Sequence, residues 1–470
     1  MASNSLPQDA SHIDGLLKLI SSTVQDIVAE YKTAGRGVPT LDDTEPGPFD
    51  STDKSTLQLT RAVQIVEGAC AQLCATVARP SHYISNVRDY HWTFAGDSTT
   101  HHYRKPIVQY YQSSCLEVAA SARVSDVLLG KSEGVHIAEI SKACGIEAGK
   151  LGRVLRLLAS QHCYREVAPD VFANNRLSMK LLSSDPIASY VGHATDECMK
   201  AGAYLWQALS DPECGSSYEV EKAAFKKAHG LSAFDWFTND ARGKSVQARF
   251  DHGMIGAGEF NGLGLLTKAY PWQSLPENTV ICDVGGGVGH AALTVLKAFP
   301  HMKAVVQDLE HVVSAGTALW AAERPSVIEA GRVTFVPIDF FKDRPVPECD
   351  IYYVRQVFHD WPDEDCLKIL ANIRKAMKPS SRVLIHELTY QHVLPSKTEG
   401  YTLDRAPEPL LPNFGAGLYK VYMEDINMMS MMNARERSPE MFIQLGKKVG
   451  LKFVNFYNSG ETGLTELALT

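Results

Sequence analysis

The sequence has few cysteines, and their spacing favours neither a disulfide framework nor a metal site. Ten cysteines are scattered over 470 residues, and no two of them form a Cys-x-x-Cys pair. Several, such as Cys282, lie inside apolar runs, which is typical of free thiols in a reducing compartment. Cys70 and Cys74 are one helical turn apart, but no second pair of cysteines or histidines accompanies them, so we predict no metal ion.

Long apolar runs and an excess of basic residues are also missing. No stretch approaches the ~18 apolar residues of a membrane-spanning helix, and the amino terminus lacks the basic and apolar regions of a signal peptide. The chain carries 54 acidic against 46 basic side chains, a formal charge of -8, which gives no general attraction to nucleic acid or to an anionic membrane. We therefore expect a cytoplasmic protein with neither of these partners.

Composition and length predict a globular chain of two or three domains. Hydrophobic residues make up 45% and charged residues 21% of the chain, and a domain typically takes roughly 100 to 200 residues. Apolar side chains recur at helical spacing over 12–31 and 57–78, while residues 32–55 are rich in glycine and proline. We predict that residues 1–100 form a helical extension with a linker.

Residues 106–185 have the pattern of a winged helix. An amphipathic helix is predicted at 137–146, where it ends at a glycine turn, and a second helix at 150–158. Short strands at 164–167 and 171–174, separated by a Pro-Asp turn, predict a hairpin. Many winged helices bind DNA, and DNA binding stays open at this point because the second helix carries a modest set of basic residues. Those residues are Lys150, Arg153 and Arg156.

From about residue 278 onward strands alternate with helices, the pattern of a doubly wound parallel sheet. Helices are predicted to begin near His290, Val312 and Asp363. Two last strands, at 451–457 and 464–470, predict an antiparallel pair at the sheet edge, and residues 395–417, rich in proline and glycine, predict a long loop. The strands expected to be parallel are 279–284, 303–308, 332–338, 350–356 and 382–388.

A glycine-rich turn follows the first parallel strand. Asp283 precedes glycines at 285, 286, 287 and 289, so backbone can approach a ligand closely and helix amides can face it. Asp308 ends the next strand about 20 residues further on, a position that suits ribose hydroxyls. A purely structural turn is the alternative. The dinucleotide fingerprint requires glycine at position 290, which is His290 here, so NAD is disfavoured and S-adenosylmethionine (SAM) is favoured.

Further segments give the sequence a specific resemblance to a known family. They are IDFF at 338–341, RQVFHDWPDE at 355–364, HE at 386–387 and NARERS at 433–438. Together with the glycine turn, they resemble the plant and fungal O-methyltransferases of the caffeic acid type over about residues 105–470.

The resemblance implies an α/β fold in two parts. It implies a Rossmann-like SAM-dependent methyltransferase domain over 256–470 and an N-terminal, mostly helical winged-helix dimerisation domain over 101–255. In that family the winged-helix region joins a homodimer and does not contact DNA.

The resemblance also implies roles for individual residues. His359 corresponds to the general base, with Glu387 and Glu436 orienting its imidazole. Gly285 and its neighbours would hold the methionine part of SAM, Asp308 the ribose, and Asp339 with Phe340 the adenine. The cofactor set is Asp283, Gly285, Gly286, Gly287, Asp308, Asp339, Phe340 and Arg355. The acceptor set is Met428, Met432 and Trp236, although Trp236 suits packing at the domain junction equally well.

The expected reaction is methyl transfer to a phenolic or enolic hydroxyl of a small aromatic or polyketide metabolite. A phenol with a pKa near 10 is a poor nucleophile at neutral pH, and an imidazole within hydrogen-bond reach can take its proton. One alternative is a relative that keeps the SAM site but catalyses a dehydration or pericyclic reaction, in which Arg355 would be a partner for negative charge. Another is a DNA-binding regulator that senses SAM or a metabolite.

Overall fold

The computed structural model of the protein describes residues 11–51, 54–79, 108–394 and 400–470. Parts of the predicted amino-terminal extension, its linker and the long loop therefore lie outside the described residues. The chain divides into two compact units. Of the described residues, the first comprises those within 1–50, 69–200 and 234–257, and the second those within 51–68, 201–233 and 258–470. Both units are discontinuous in sequence, whereas the predicted domains are contiguous, with boundaries after residues 100 and 255.

Helices of the described residues account for most of the first unit and flank the large sheet of the second. The α-helices are α1 Ser11–Thr33, α2 Leu57–Val77, α3 Val108–Ser121, α4 Val124–Leu128, α5 Ile137–Cys144, α6 Ala148–Ser160, α7 Pro186–His193, α8 Met199–Ala203, α9 Leu205–Leu209, α10 Ala224–His229, α11 Ala233–Asn239, α12 Ala241–Phe260, α13 Leu266–Ala269, α14 His290–Ala298, α15 Glu310–Glu323, α16 Pro325–Glu329, α17 Asp363–Ala376, α18 Tyr419–Met432 and α19 Pro439–Lys448. Within the described ranges, no helix has the length and apolar character needed to span a bilayer.

The strands form one small and one large sheet. They are β1 Val135–His136, β2 Arg165–Ala168, β3 Val171–Ala173, β4 Val280–Val284, β5 Lys303–Asp308, β6 Val333–Pro337, β7 Ile351–Arg355, β8 Arg382–Leu388, β9 Leu451–Ser459 and β10 Thr462–Leu469.

The first unit contains the predicted winged helix. α5 ends at Gly145, which adopts a left-handed conformation, and the side chain of Glu147 caps α6 by accepting hydrogen bonds from two backbone amides. Leu151, Leu155 and Leu158 bury one face of α6 in the core of this unit. β2 and β3 form the hairpin, and β1 adds a third antiparallel strand beside β3.

One of the three basic residues considered for DNA contacts is engaged within this winged helix. Arg156 on α6 pairs with Glu166 at 3.1 Å and with Asp170 at 2.7 Å, both on the hairpin. A guanidinium that two carboxylates neutralise is poorly suited to bind bases or phosphates.

The second unit is built on a seven-stranded sheet in the order β6-β5-β4-β7-β8-β10-β9. β4 to β8 are parallel, and β10 is antiparallel to both β8 and β9. All seven predicted strands and the three predicted helix starts are confirmed to within a few residues. Helices cover both faces, which explains why the parallel strands are nearly continuous apolar runs.

The chain order reverses between β4 and β7, because β4 continues to β5 on one side and pairs with β7 on the other. In doubly wound sheets, ligands bind outside the carboxyl ends of the strands at this reversal. Asp283, Asp308, Arg355 and Glu387 lie in the last two positions of β4, β5, β7 and β8, so the sequence concentrates polar residues at this edge of the sheet.

Long-range contacts explain why segments 51–68 and 201–233 belong to the second unit. Arg61 donates to Asp404 at 2.9 Å, and the side-chain amide of Asn433 donates to the carbonyl oxygens of Ser217 and Glu219 at 2.7 and 3.0 Å. The described part of the predicted long loop is held in the same way, because Tyr401 packs its ring against β9. These pairings join residues far apart in sequence, and local sequence patterns do not reveal them.

Candidate active site

The turn after β4 is shaped by glycines that no other residue can replace without strain. Gly285, Gly287 and Gly289 have φ values of +72°, +58° and +90°, a region that L-residues with a Cβ rarely adopt. A Cβ at Gly285 would lie 2.8 Å from Val357 Cγ2, and one at Gly286 would lie 2.7 Å from the carboxyl carbon of Asp283. The turn therefore lies directly against the segment that follows β7.

Asp283 is a buried carboxyl group with an unsatisfied oxygen. Its side chain is 1% exposed, and its Oδ2 has no hydrogen-bond partner among the described residues. Burial raises the pKa of Asp283 to about 7, against the opposing effect of the nearby Arg355. A buried acceptor without a donor costs about 1–3 kcal/mol, so this position suits a ligand that supplies hydrogen-bond donors.

Asp308 supports the glycine turn from the end of β5. Its two carboxylate oxygens accept hydrogen bonds from the amides of Gly287 at 2.9 Å and Leu309 at 2.7 Å. The backbone carbonyl of the preceding residue, Gln307, accepts hydrogen bonds from the amides of Gly285 and Gly286. The glycine turn and the end of β5 therefore form one hydrogen-bonded structure.

Asp339 and Phe340 follow β6. The Asp339 carboxylate accepts from the Phe341 amide at 3.1 Å and from Lys342 at 2.6 Å. The hydrogen bond from Lys342 lowers the pKa of Asp339, so it is ionised at neutral pH. Phe340 Cε1 lies 3.5 Å from the Cβ position built on Gly285, which brings this aromatic ring beside the glycine turn.

Arg355 ends β7 and is only loosely held. Its Nη2 lies 3.4 Å from the carbonyl oxygens of Gly258 and Asn261, while its Nε has no partner among the described residues. Gln356, the next residue, has a positive φ of 52° and accepts from the side-chain amide of Asn261 at 2.7 Å. Strained, positive-φ residues of this kind cluster at functional sites.

His359 and Glu436 form a direct pair. Nδ1 of His359 is 2.8 Å from Oε1 of Glu436, whose side chain is fully buried. The backbone amide of Glu436 donates to Asp425 at 2.9 Å. When Nδ1 carries the proton and donates to Glu436, Nε2 is the ring nitrogen with a free lone pair. Nε2 is 3.7 Å from Asp360 Oδ1, too long for a hydrogen bond.

Glu387 contacts backbone and not the imidazole. Its Oε1 accepts the amides of Val357 at 3.0 Å and Phe358 at 2.9 Å, while its Oε2 has no partner among the described residues. Burial is the main cause that raises the pKa of Glu387 to about 7. Glu387 therefore holds the segment that leads into His359, and it leaves one carboxyl oxygen available.

The charges around His359 stabilise its protonated form. Burial alone lowers the pKa of His359, but the attraction of Glu436, Asp360 and Glu387 outweighs it and raises the pKa well above its ordinary value. One donor atom from each of His359, Glu387 and Glu436 lies within 4.8 Å of the others, a spacing that also suits a metal ion. Nδ1 of His359 and Oε1 of Glu387 already have hydrogen-bond partners, which suits an acid–base group, whereas Oε2 of Glu387 and Oε2 of Glu436 have none among the described residues.

Arg437 is a site residue that the sequence reasoning missed. Its side chain is buried, and it donates to the carbonyl oxygens of Phe358 at 2.6 Å and Trp361 at 2.7 Å and to Asp363 at 2.8 Å. Arg435 reaches the other oxygen of Asp363 at 2.9 Å. The available signal was the alternation of charge in Arg435-Glu436-Arg437, opposite the acidic run after His359. These arginines fix the short helical turn that carries His359.

The predicted acceptor residues lie in different units. Met428 is half-buried and Met432 is buried, both on α18, and the amides of Asn433 and Ala434 close this helix onto the carbonyls of Met429 and Met428. Trp236 lies in the first unit on α11, where it is buried edge-on against Phe237 with ring centroids 5.1 Å apart. The proposed contact of these residues with an acceptor stays a prediction.

Strand order, glycine turn and polar residues at the carboxyl ends of the strands define the class as a Rossmann-like methyltransferase. Residues 206–452 match the family model described as the O-methyltransferase domain, and residues 107–184 match the O-methyltransferase dimerisation domain. The chain belongs to the O-methyltransferase family, as the resemblance predicted.

Individual relatives agree with this assignment. The chain is 45% identical to "3-O-methyltransferase 2" of Phanerochaete chrysosporium, over 98% of both chains. Among solved structures it is similar to CalO1, a methyltransferase in calicheamicin biosynthesis in its SAH-bound form, at 26% identity and a TM-score of 0.57, covering 77% of this chain and 95% of that one. The fold is also that of "a pericyclic reaction enzyme", at 18% identity and a TM-score of 0.67, covering 87% of this chain and 95% of that one.

Proposed function

We propose that this O-methyltransferase transfers the methyl group of SAM to a phenolic or enolic hydroxyl of a small aromatic or polyketide metabolite, with His359 as the general base. The observation that carries the proposal is the 2.8 Å pair between His359 Nδ1 and Glu436, on a segment packed against the glycine turn. In this arrangement a buried carboxylate orients the base. The segment that carries the base lies next to a turn that suits a nucleotide-like cofactor.

The residues around the glycine turn fit SAM. A Cβ built on Gly287 meets no atom within 4 Å, so a ligand can approach the backbone closely there, and Asp283 Oδ2 is a buried acceptor that an ammonium group can satisfy. Asp308 and Asp339 would take the ribose hydroxyls and the adenine edge, with Phe340 packing on the adenine and Arg355 near the carboxylate. SAM supplies an electrophilic methyl group on a sulfonium ion.

The base acts at a defined atom. With Nδ1–H donating to Glu436, Nε2 of His359 takes the proton of the acceptor hydroxyl as its oxygen becomes nucleophilic. The imidazolium that results lies next to a buried carboxylate, which stabilises it in a site of low dielectric constant. Glu387 and Arg437 keep the imidazole in position through the backbone of residues 357–361.

We also propose that the enzyme is a homodimer joined through its amino-terminal half. The match of residues 107–184 to a dimerisation domain supports this, and the exposed aromatic side chains of Tyr110 and Tyr111 in α3 offer apolar surface for a partner. A monomer in light scattering at micromolar concentration would contradict it.

The proposal is tested with methyl-labelled SAM and a panel of phenols and enols, followed by mass spectrometry. Label should appear in the acceptor, and His359→Ala should lower turnover by about 10²-fold or more with SAM affinity nearly unchanged. His359→Ala with an unchanged rate would remove the residue from the mechanism. If an acceptor is consumed without label and yields an isomer or a dehydrated product, the non-methylating alternative replaces methyl transfer.

A further inference from the structure

A second hydrogen-bonded group of titratable side chains lies in the first unit. Nδ1 of His193 is 3.0 Å from Oε2 of Glu197, and Nε2 of His193 is 3.3 Å from Sγ of Cys198. Glu197 is fully buried, His193 is buried and Cys198 is half-buried. The three groups thus form a hydrogen-bonded series of thiol, base and carboxylate, in which the carboxylate orients the base. This is the arrangement found around activated nucleophiles.

The backbone explains why these three residues meet. α7 ends at His193, and Ala194–Cys198 form one π-helical turn before α8. In an α-helix, side chains three and four residues apart are neighbours. A π-turn bonds each residue to the fifth one along the chain and adds one residue to the turn. Because of this turn, His193 contacts both Glu197 at the fourth position and Cys198 at the fifth, and such turns are frequent at functional sites.

The surroundings of the group are aromatic on one side and charged on the other. The ring of His193 packs edge-on against Phe250, with centroids 5.1 Å apart, and Phe237 lies at 6.3 Å. On the charged side, Arg249 of α12 pairs with Glu197 and lies 3.6 Å from Asp196. Among the described residues, the other charged groups facing the turn are Lys200 and Arg242, which pair with Asp196, and Glu117 of α3.

We propose that Cys198 is a nucleophilic thiol, activated by His193 and oriented through Glu197, and a site of covalent modification by flat α,β-unsaturated carbonyl compounds of the quinone class. Nε2 of His193 takes the thiol proton, and the sulfur electron pair forms a bond to the β-carbon. The carbon–carbon π pair shifts to form a double bond to the carbonyl carbon, the carbonyl π pair moves onto the oxygen, and that oxygen takes the proton back from the imidazolium. The ring carbon that now carries sulfur then loses its proton, the second carbonyl oxygen gains one, and the ring becomes aromatic. The product is a thioether of the hydroquinone, and no oxidant is needed. The aromatic rings beside His193 suit a flat, apolar electrophile.

The test is a short exposure of the full-length protein to limiting 1,4-benzoquinone at neutral pH. The reaction is quenched with excess thiol, and every cysteine peptide is quantified by mass spectrometry. Cys115 and Cys144 are reference thiols, because both are half-buried in the same unit and burial raises the pKa of each. We expect Cys198 to react at least about tenfold faster than either, as an activated thiol does. Equal rates would overturn the proposal.

Two variants separate activation from simple exposure. His193→Gln should slow the reaction of Cys198 by about tenfold or more, while the reference cysteines keep their rates. The matched control is His252→Gln, which removes another histidine of the same unit, one bonded to Ser189 at 2.9 Å, and it should leave Cys198 unchanged. An unchanged rate in folded His193→Gln protein would overturn the role of His193.

A pH series on the unaltered protein covers the case in which His193→Gln does not fold. Below its pKa, an ordinary thiol loses about tenfold in rate per pH unit, because only the thiolate reacts. Cys198 should lose much less than Cys115 and Cys144 between about pH 8 and pH 6, because its proton is shared with His193. Parallel pH profiles for all three thiols would contradict the proposal.

Discussion

Replacing Glu436 with glutamine tests the proposed acid–base group most directly. Glutamine keeps the size of the side chain and an acceptor oxygen near His359 Nδ1, but it removes the buried negative charge 2.8 Å away. A hydrogen bond to a charged group contributes about 1.5–3 kcal/mol. At 1.36 kcal/mol per pKa unit, this corresponds to roughly 1–2 units in the pKa of His359.

The sign of the expected shift follows from the charges. The folded enzyme favours the imidazolium, so the pKa of His359 lies well above its ordinary value. The neutral base forms as the pH rises, so the pH profile of kcat/KM should have an ascending limb above about pH 6.5. In Glu436→Gln, burial still disfavours the imidazolium, but the attraction of the Glu436 carboxylate no longer offsets it. The limb should move down by about 1–2 units, and the plateau rate should fall about 10- to 100-fold because the imidazolium of the transition state loses its partner.

The assay is the pH dependence of kcat/KM for transfer of labelled methyl to a phenol, from about pH 5 to pH 10. Glu364→Gln is the matched control, since Glu364 is exposed and only five residues from His359 in sequence. It should reproduce the profile of the unaltered enzyme. A limb that stays in place or moves up in Glu436→Gln would refute the reasoning that Glu436 sets the pKa of His359.

Three further predictions concern the cofactor site and the metal question. Asp308→Ala removes the carboxylate that accepts the Gly287 and Leu309 amides, and it should weaken SAM binding by at least about tenfold in calorimetry; unchanged affinity would contradict the ribose assignment. The pKa of Asp283 is raised to about 7, so burial disfavours its charged form and this cost to stability grows as the pH rises from the unfolded-state pKa to about 7. Asp283→Asn should therefore raise the Tm by a few degrees at about pH 8 and by less at about pH 4, and an equal change at both would contradict the raised pKa. Dialysis against EDTA should leave methyl transfer unchanged; a loss that a divalent ion restores would make His359, Glu387 and Glu436 metal ligands.

The sheet could be predicted from sequence because its pattern is local. Strands buried on both faces read as short apolar runs, such as Ile351–Val354 in β7, and their spacing by helices predicts parallel order. The composition of the two units could not be predicted in the same way. Residues 201–233 join the second unit through contacts such as Asn433 to Ser217, which link positions more than two hundred residues apart.

The same distinction between local patterns and long-range contacts applies to the candidate site. The glycine turn and Asp308 could be predicted because one strand–turn–helix motif contains the turn and the next strand ends at the acid. Glu436 looks like a surface residue when its charged run is considered alone, and only the family resemblance assigned it a role. In the structure Glu436 is buried, and Asp363 pairs with the two arginines beside it, Arg435 and Arg437. These contacts exist only after folding.

Unsatisfied polar atoms give an independent reason to place ligand binding at this edge of the sheet. Buried atoms without a hydrogen-bond partner among the described residues include Asp283 Oδ2, Glu387 Oε2 and Glu436 Oε2, together with Arg355 Nε. Each costs about 1–3 kcal/mol in the folded chain, and folding stability alone would select against three such carboxyl oxygens and a guanidinium nitrogen beside the same strand ends. A ligand that brings both hydrogen-bond donors and a carboxylate would supply the partners that folding leaves out, as we propose for SAM at Asp283 and Arg355 and for the acceptor hydroxyl near His359.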